Sequence, residues 1–151
     1  MTTHTYAATL TWSGSTGQGY DSYDRAHRMA PEGAPELTVS ADPAFRGDPA
    51  LLNPEQLLLA AASSCQLLSF LAIAARARLD VVDYVDRATA VMPEDQPPTR
   101  ITEIVLRPHI TLRGPGSAKI QRLVDLAHKE CFIANSISAQ IRIEPSVDVV
   151  D

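Results

Sequence analysis

Residues 53–76 read NPEQLLLAAASSCQLLSFLAIAAR, and the fold turns on how this stretch is understood. Its opening triplet is a helix start. Asn53 can cap, Pro54 suits the first helical position because its missing N–H is not needed there, and Glu55 sits at the positive end of the peptide dipoles. Arg76 and Arg78 stand at the negative end. Between Glu55 and Arg76 lie twenty uncharged residues, enough to span a bilayer. Gln56, Ser63, Ser64, Gln66 and Ser69 interrupt the run, much of the rest is alanine, and no flanking Lys/Arg belt supports insertion. The stretch therefore reads as a helix of a soluble protein, buried on nearly all faces, with no membrane partner.

On its N-terminal side, TYAATLTW at 5–12 and ELTVS at 36–40 alternate apolar and polar residues and read as strands. Residues 20–29, YDSYDRAHRM, are a second strand or an irregular excursion. DPAFRGDPALLNP at 42–54 is a loop with three prolines, holding Arg46 near its middle. On the C-terminal side, LDVVDYVDRATAVM at 79–92 looks like one long strand. PEDQPP at 93–98 is a hard break, and TRITEIVLRPHITLR at 99–113 is expected to pair back across it. Pro108 marks a bulge or an edge. Ser117 is expected to cap a second helix, 117–131, whose Ile120, Leu123, Val124 and Ala127 fall on one face. AQIRIEPSVDVV at 139–150 is a last strand. Few helices among antiparallel hairpins make an α+β fold, and 151 residues suit a single domain over 1–151.

Composition narrows function. Net charge is −5 and no basic stripe with interleaved aromatics appears, so nucleic-acid binding is disfavoured. MTTHTYAATLTW lacks a cationic region followed by an apolar core, so a cytoplasmic location is expected, with thiols starting reduced. The two cysteines form no CxxC, and His4, His27, His109 and His128 are scattered. No metal site and no cofactor are expected.

Cys65 and Cys131 each read alone as a small buried hydrophobe. A reactive thiol must be ionised near pH 7, and burial among apolar side chains works against that. Cys65 lies too far along the helix for the N-terminal dipole to act on it. No cation stands within one helical turn. If Cys65 is reactive, an arginine from elsewhere in the fold must activate it.

Asn53-Pro54-Glu55-Gln56-Leu57 followed by Cys65 inside the helix resembles the signature of the OsmC/Ohr family, the osmotically inducible and organic-hydroperoxide-resistance proteins. Cys131 in HKECFIANSI resembles the family's second cysteine, and SADPAFRGDP resembles the loop of an OsmC-like branch. The resemblance runs from about residue 5 to residue 150. It implies an OsmC-like fold, with antiparallel sheets wrapped around long central helices in an intertwined homodimer. It also implies a thiol peroxidase. Cys65 attacks an organic hydroperoxide and becomes a sulfenic acid, Cys131 resolves this as a disulfide, and a dithiol reductant of lipoyl type restores both thiols. Glu55 matches the family's helix-start carboxylate, which holds an activating arginine. The Gly-Gly-Arg-Asp-Gly loop that carries this arginine in one branch is absent. Arg25 and Arg46 are the two candidates, with Arg25 favoured by its place before the 36–40 strand.

Helix geometry adds a constraint independent of the family. Glu55 and Cys65 are ten residues apart, which on one helix is a rise of roughly 15 Å and a separation of about 80° around the axis. Both can serve one site only if the carboxylate comes from another subunit, so a homodimer is expected, with its helices crossing near Cys65. The family resemblance, together with the apolar composition, implies a pocket of Leu, Ile and Phe that favours a bulky organic peroxide over hydrogen peroxide. The competing functions are a non-catalytic dimer that binds an apolar small molecule, and a peroxide sensor with the same chemistry but no turnover.

Overall fold

The computed structural model describes every residue from Met1 to Asp151. It contains nine strands and two α-helices in an α+β arrangement. The chain divides into two compact units, Met1–Leu57 and Leu58–Asp151, with the boundary inside the first α-helix.

In the first unit, β1 (Ala8–Thr11), β2 (His27–Pro31) and β3 (Leu37–Val39) form an antiparallel sheet in that order. The ambiguous 20–29 segment is both things in succession: turns through Ser22, then the start of β2 at His27. The three-proline loop closes through a short 3₁₀ turn, Pro43–Phe45, capped by the Asp42 carboxylate, which accepts from Ala44 N at 2.8 Å. Arg46 ends that turn in the left-handed region, with φ 65°. Gly47 N then donates to Asp42 O at 3.0 Å. A Cβ at Gly47 would lie 1.7 Å from the Ala41 carbonyl oxygen, so only glycine fits there.

The expected helix is α1, Pro54–Arg76. Its entry is reciprocal. Gln56 N donates to Asn53 Oδ1 at 2.8 Å, and Asn53 N donates to Gln56 Oε1 at 3.0 Å, which satisfies two otherwise orphaned donors. Ala62, Gln66, Phe70, Ile73 and Ala74 form its buried stripe. The expectation of burial on nearly all faces is not met: only 28% of the apolar window is covered by the chain, with Leu68 and Leu71 left exposed. By length and composition alone this helix could cross a membrane.

The second unit corrects three details. The 79–92 strand is two, β4 (Asp80–Asp86) and β5 (Thr89–Val91). The 99–113 strand is β6 (Glu103–Leu106) and β7 (Pro108–Arg113), and the last strand is β8 (Gln140–Ile143) and β9 (Ser146–Val150). The expected antiparallel pairing holds in both halves, β4 with β7 and β5 with β6. However, β8 and β9 add in parallel, to β6 and β7 respectively. Each segment breaks at the same level, at Arg87, Arg107 and Pro145. Pro108 and Pro145 have no N–H for the ladder, and the Asp86 carboxylate takes the Arg107 N–H at 2.6 Å in place of a ladder acceptor. Asp86 also accepts from Ser63 Oγ at 2.5 Å, tying α1 to the bend.

The second helix begins as a 3₁₀ turn, Ser117–Lys119, and continues as α2, Ile120–Glu130. Ser117 makes no side-chain cap; the chain instead enters through Gly116 at φ 119°. The stripe read from sequence is buried throughout: Ile120, Leu123, Val124 and Ala127 pack with Phe70, Ile73 and Ala74 of α1 and with Ile110 and Leu112 of β7.

Candidate active site

Two sulfurs distant in sequence meet between α1 and the end of α2. Cys65 is half-buried midway along α1, on the edge of its buried stripe, and Cys131 terminates α2 with 1% of its surface exposed. Both thiols are free. The two thiols lie close enough that each shifts the ionisation of the other, with Cys131 on the donor side.

Beyond Cys131 the chain folds back at once. Asn135 N–H donates to Cys131 O at 3.0 Å, and Ala134–Ser136 form a 3₁₀ turn. This turn aims successive backbone amides at the sulfur pair. Those of Phe132 and Ile133 reach Cys65, and that of Ala134 reaches Cys131 Sγ at 3.4 Å. Ser69, one helical turn after Cys65 in α1, adds its hydroxyl to the Cys65 sulfur.

These surroundings separate the two thiols. Burial pushes Cys65 up. The hydrogen bonds from Cys131, Ile133, Phe132 and Ser69 outweigh it, leaving Cys65 below the ordinary value of 9.0. Burial, the hydrogen bond to Cys65 and repulsion from a Cys65 thiolate push Cys131 up to about 11. Cys65 is thus the thiol that ionises first, and Cys131 is the one kept protonated beside it. The donors that achieve this are amides and hydroxyls; no guanidinium is among the groups that shift Cys65. Ser69 had a sequence signal, its i+4 spacing from Cys65. The amides of residues 132 and 133 had none.

Cys65 opens onto a groove of about 570 Å³. Leu68, Ser69, Ala72 and Arg76 of α1 continue its floor, and Glu130, Phe132 and Asn135 complete its lining. No histidine lines it, and no group of His, Cys, Asp and Glu side chains is arranged to hold a metal ion.

The remaining candidates lie in the first unit. Glu55 and Arg25 line one cavity of about 390 Å³, with Trp12, Tyr23, His27 and Phe45 among its walls. Arg25 is clamped there. Its guanidinium lies 3.7 Å from the Tyr23 ring centroid and 4.7 Å from that of Tyr20, and it donates to the carbonyls of both residues rather than to Glu55. Arg46 is not part of this cavity; it is exposed and pairs with Asp21 at 2.7 Å. Of the two arginines, only Arg25 shares a site with the helix-start carboxylate.

The family model described as OsmC-like protein matches residues 47–146. Among solved structures, an OsmC-like protein of unknown function from Vibrio cholerae is 30% identical, covering 98% of this chain and 100% of its own, with a TM-score of 0.83. An organic hydroperoxide resistance protein from Legionella pneumophila has the same fold at 19% identity, 99% and 100% coverage and a TM-score of 0.70. One from Elizabethkingia anophelis does so at 20% identity, 99% coverage of both chains and a TM-score of 0.69. No curated protein matches the chain.

Proposed function

The chain belongs to the OsmC-like protein family, and from that premise we propose that it is a thiol peroxidase that reduces organic hydroperoxides. The observation that carries this is the juxtaposed Cys65–Cys131 pair, with the more exposed cysteine biased toward thiolate and the buried one held as thiol. Names of relatives that include organic hydroperoxide resistance proteins agree with a peroxide-related redox role.

The steps follow from the two sulfurs. The Cys65 thiolate attacks the terminal peroxide oxygen. An S–O bond forms, the O–O bond breaks, and the departing alkoxide takes a proton to leave as an alcohol. Sulfur has given two electrons and is now a sulfenic acid. Cys131 then attacks that sulfur: the S–S bond forms and the hydroxyl leaves as water with the Cys131 proton. An external dithiol of lipoyl type supplies two electrons and two protons and returns both cysteines to thiols. Cys131 is already seated against Cys65, so the sulfenic acid meets its resolving partner without a large rearrangement.

The working form in this proposal is a cytoplasmic homodimer. The apolar window of α1 is mostly uncovered by its own chain, and a second copy supplies the cover. Glu55 and Arg25 of that second copy complete the site, because Glu55 and Cys65 are ten residues apart along α1 and cannot converge within one chain.

One measurement tests the reading. Reduced protein is treated with one equivalent of cumene hydroperoxide, free thiols are counted, and the oxidised species is mapped by mass spectrometry. Loss of both thiols to a Cys65–Cys131 disulfide within one chain is the expected result. Unchanged thiols overturn the peroxidase in favour of a binding protein. Disulfide formation without steady-state turnover on a lipoyl dithiol marks a sensor.

A further inference from the structure

Resting on the peroxidase reading, we propose that Gln66 is a positioning residue for the step in which Cys131 resolves oxidised Cys65: its side chain ties α2 to α1 and so fixes the approach of one sulfur to the other. Gln66 directly follows Cys65 in α1 but turns into the core and is buried there. Its Nε2 donates to the Val124 carbonyl of α2 at 3.2 Å, the one side-chain hydrogen bond between the two helices that bring the cysteines together. The other half of the amide is unpaired: Gln66 Oε1 is buried and accepts no hydrogen bond from the chain. Val124 O lies inside α2, where the helical ladder already gives it the His128 N–H. Neither helix needs the tie to satisfy its backbone, and a buried unpaired acceptor lowers stability. A methionine of similar length would fill the space without that penalty.

What the amide adds is direction. Phe70, Leu123, Val124 and Ala127 hold the helices together, but apolar attraction is non-directional. A hydrogen bond fixes how far one helix slides or turns against the other. The tie sits where such motion matters. Val124 and Cys131 are seven residues apart, about two turns, so they lie on one face of α2 with a rise of roughly 10 Å between them. Cys65 and Gln66 are adjacent on α1. Two contacts close together on α1 therefore lie well apart on α2, and together they fix the swing of α2 across α1. A disulfide closes only in a narrow geometry, with the sulfurs about 2 Å apart and a dihedral of about 90°. A helix free to swing presents Cys131 in that geometry less often.

The test uses a dipyridyl disulfide, so that it needs no peroxide. The Cys65 thiolate attacks the reagent, forming a mixed disulfide and releasing one thiopyridone. Cys131 then attacks the Cys65 sulfur, loses its proton, closes the Cys65–Cys131 disulfide and releases the second thiopyridone. The second release is independent of reagent concentration and reads the approach of Cys131. In Gln66→Met it should slow on the order of tenfold, while the first release changes far less and the thermal midpoint stays level or rises. Gln66→Leu should behave likewise. Gln121→Met, whose amide bonds Asp125 on the exposed side of α2, should change neither release. With cumene hydroperoxide, Gln66→Met should accumulate a sulfenic acid that dimedone traps, and should over-oxidise at lower peroxide than the wild type. An unchanged second release in the Gln66 variants overturns the proposal and leaves the peroxidase standing. A lower thermal midpoint with both releases altered alike also overturns it, since that marks a packing residue. If the wild type shows both releases but turns over no peroxide, the peroxidase reading fails, and the comparison with Gln66→Met still decides the tie. If the wild type shows no second release, Cys131 is not a resolving thiol, and the role of the tie falls with it.

Discussion

Alkylation kinetics read the division of labour between the two thiols directly. Cys65 sits below 9.0 and Cys131 is pushed up to about 11. At pH 8 about one part in a thousand of Cys131 is then thiolate, and the lowered Cys65 carries the larger thiolate share. Intrinsic nucleophilicity works the other way, since it falls with pKa along a Brønsted slope of about 0.4–0.5, so it returns only part of that advantage. Access adds to what remains, because Cys131 is only 1% exposed. Iodoacetamide at pH 8, followed by peptide mass spectrometry at timed quenches, should label Cys65 first, on the order of tenfold faster. The Cys65 rate should rise with pH and level off below the pH at which Cys131 begins to react. Equal rates, or Cys131 reacting first, would refute both the electrostatic ordering and the assignment of attacking and resolving sulfur.

The remaining expectations concern single residues. Ser69→Ala removes one donor to the Cys65 sulfur, so the midpoint of its alkylation-versus-pH curve should move up, and Ser69→Thr should recover part of the shift. Cys131→Ser should complete the first oxidation but not the cycle, accumulating a sulfenic acid that dimedone traps and that excess peroxide over-oxidises. Normal dithiol turnover by that variant would remove Cys131 from the mechanism. Arg25→Ala should slow oxidation of Cys65 by peroxide far more than its alkylation by iodoacetamide, and stopped-flow runs with the two reagents compare them. Asn53→Ala removes the Oδ1 that accepts from Gln56 N at the start of α1, while its backbone N–H can still donate to Gln56; it should cost about 1 kcal/mol, read as a lower urea midpoint at constant slope.

Both helices are legible in the sequence because their signals are local. Asn53, Pro54 and Glu55 mark the start of α1 within three residues, and Ile120, Leu123, Val124 and Ala127 write the buried face of α2 at helical spacing. Strand positions are legible for the same reason, whereas their breaks are only half so. Pro108 announces an irregularity, but that Arg87, Arg107 and Pro145 align at one level depends on the register of segments far apart in the chain. The parallel placement of β8 and β9 is likewise a long-range outcome with no local mark. The apolar run in α1 reads as enclosed because hydrophobic residues on every side need cover. The need is real, but the chain alone meets only part of it. At the site, the cysteines are found through a family likeness, since no spacing rule links Cys65 to Cys131. The amides of Phe132 and Ile133 are invisible in the sequence because every residue but proline carries one.

Those amides change what an arginine is needed for. The sequence alone calls for a guanidinium to ionise Cys65, but here the hydrogen bonds from the 131–134 turn and Ser69 already outweigh burial. Stabilising a thiolate has a limit as a strategy, because each step down in pKa also dulls the nucleophile. Past that limit the barrier falls further only if charge is stabilised where it appears during the reaction, on the departing alkoxide oxygen. Hydrogen bonds held on the sulfur cannot do this, since they weaken as the sulfur's charge moves to oxygen. A cation held apart from the sulfur and fixed in orientation can. Arg25 is suited to that second role, because two aromatic faces and two carbonyls hold its guanidinium in place and it lines a cavity with Glu55. In the proposed dimer the amides and Ser69 of one chain prepare the thiolate while Arg25 of the other receives the leaving charge. On that proposal assembly sets the rate of peroxide cleavage, while the lowering of the Cys65 pKa comes from groups of its own chain.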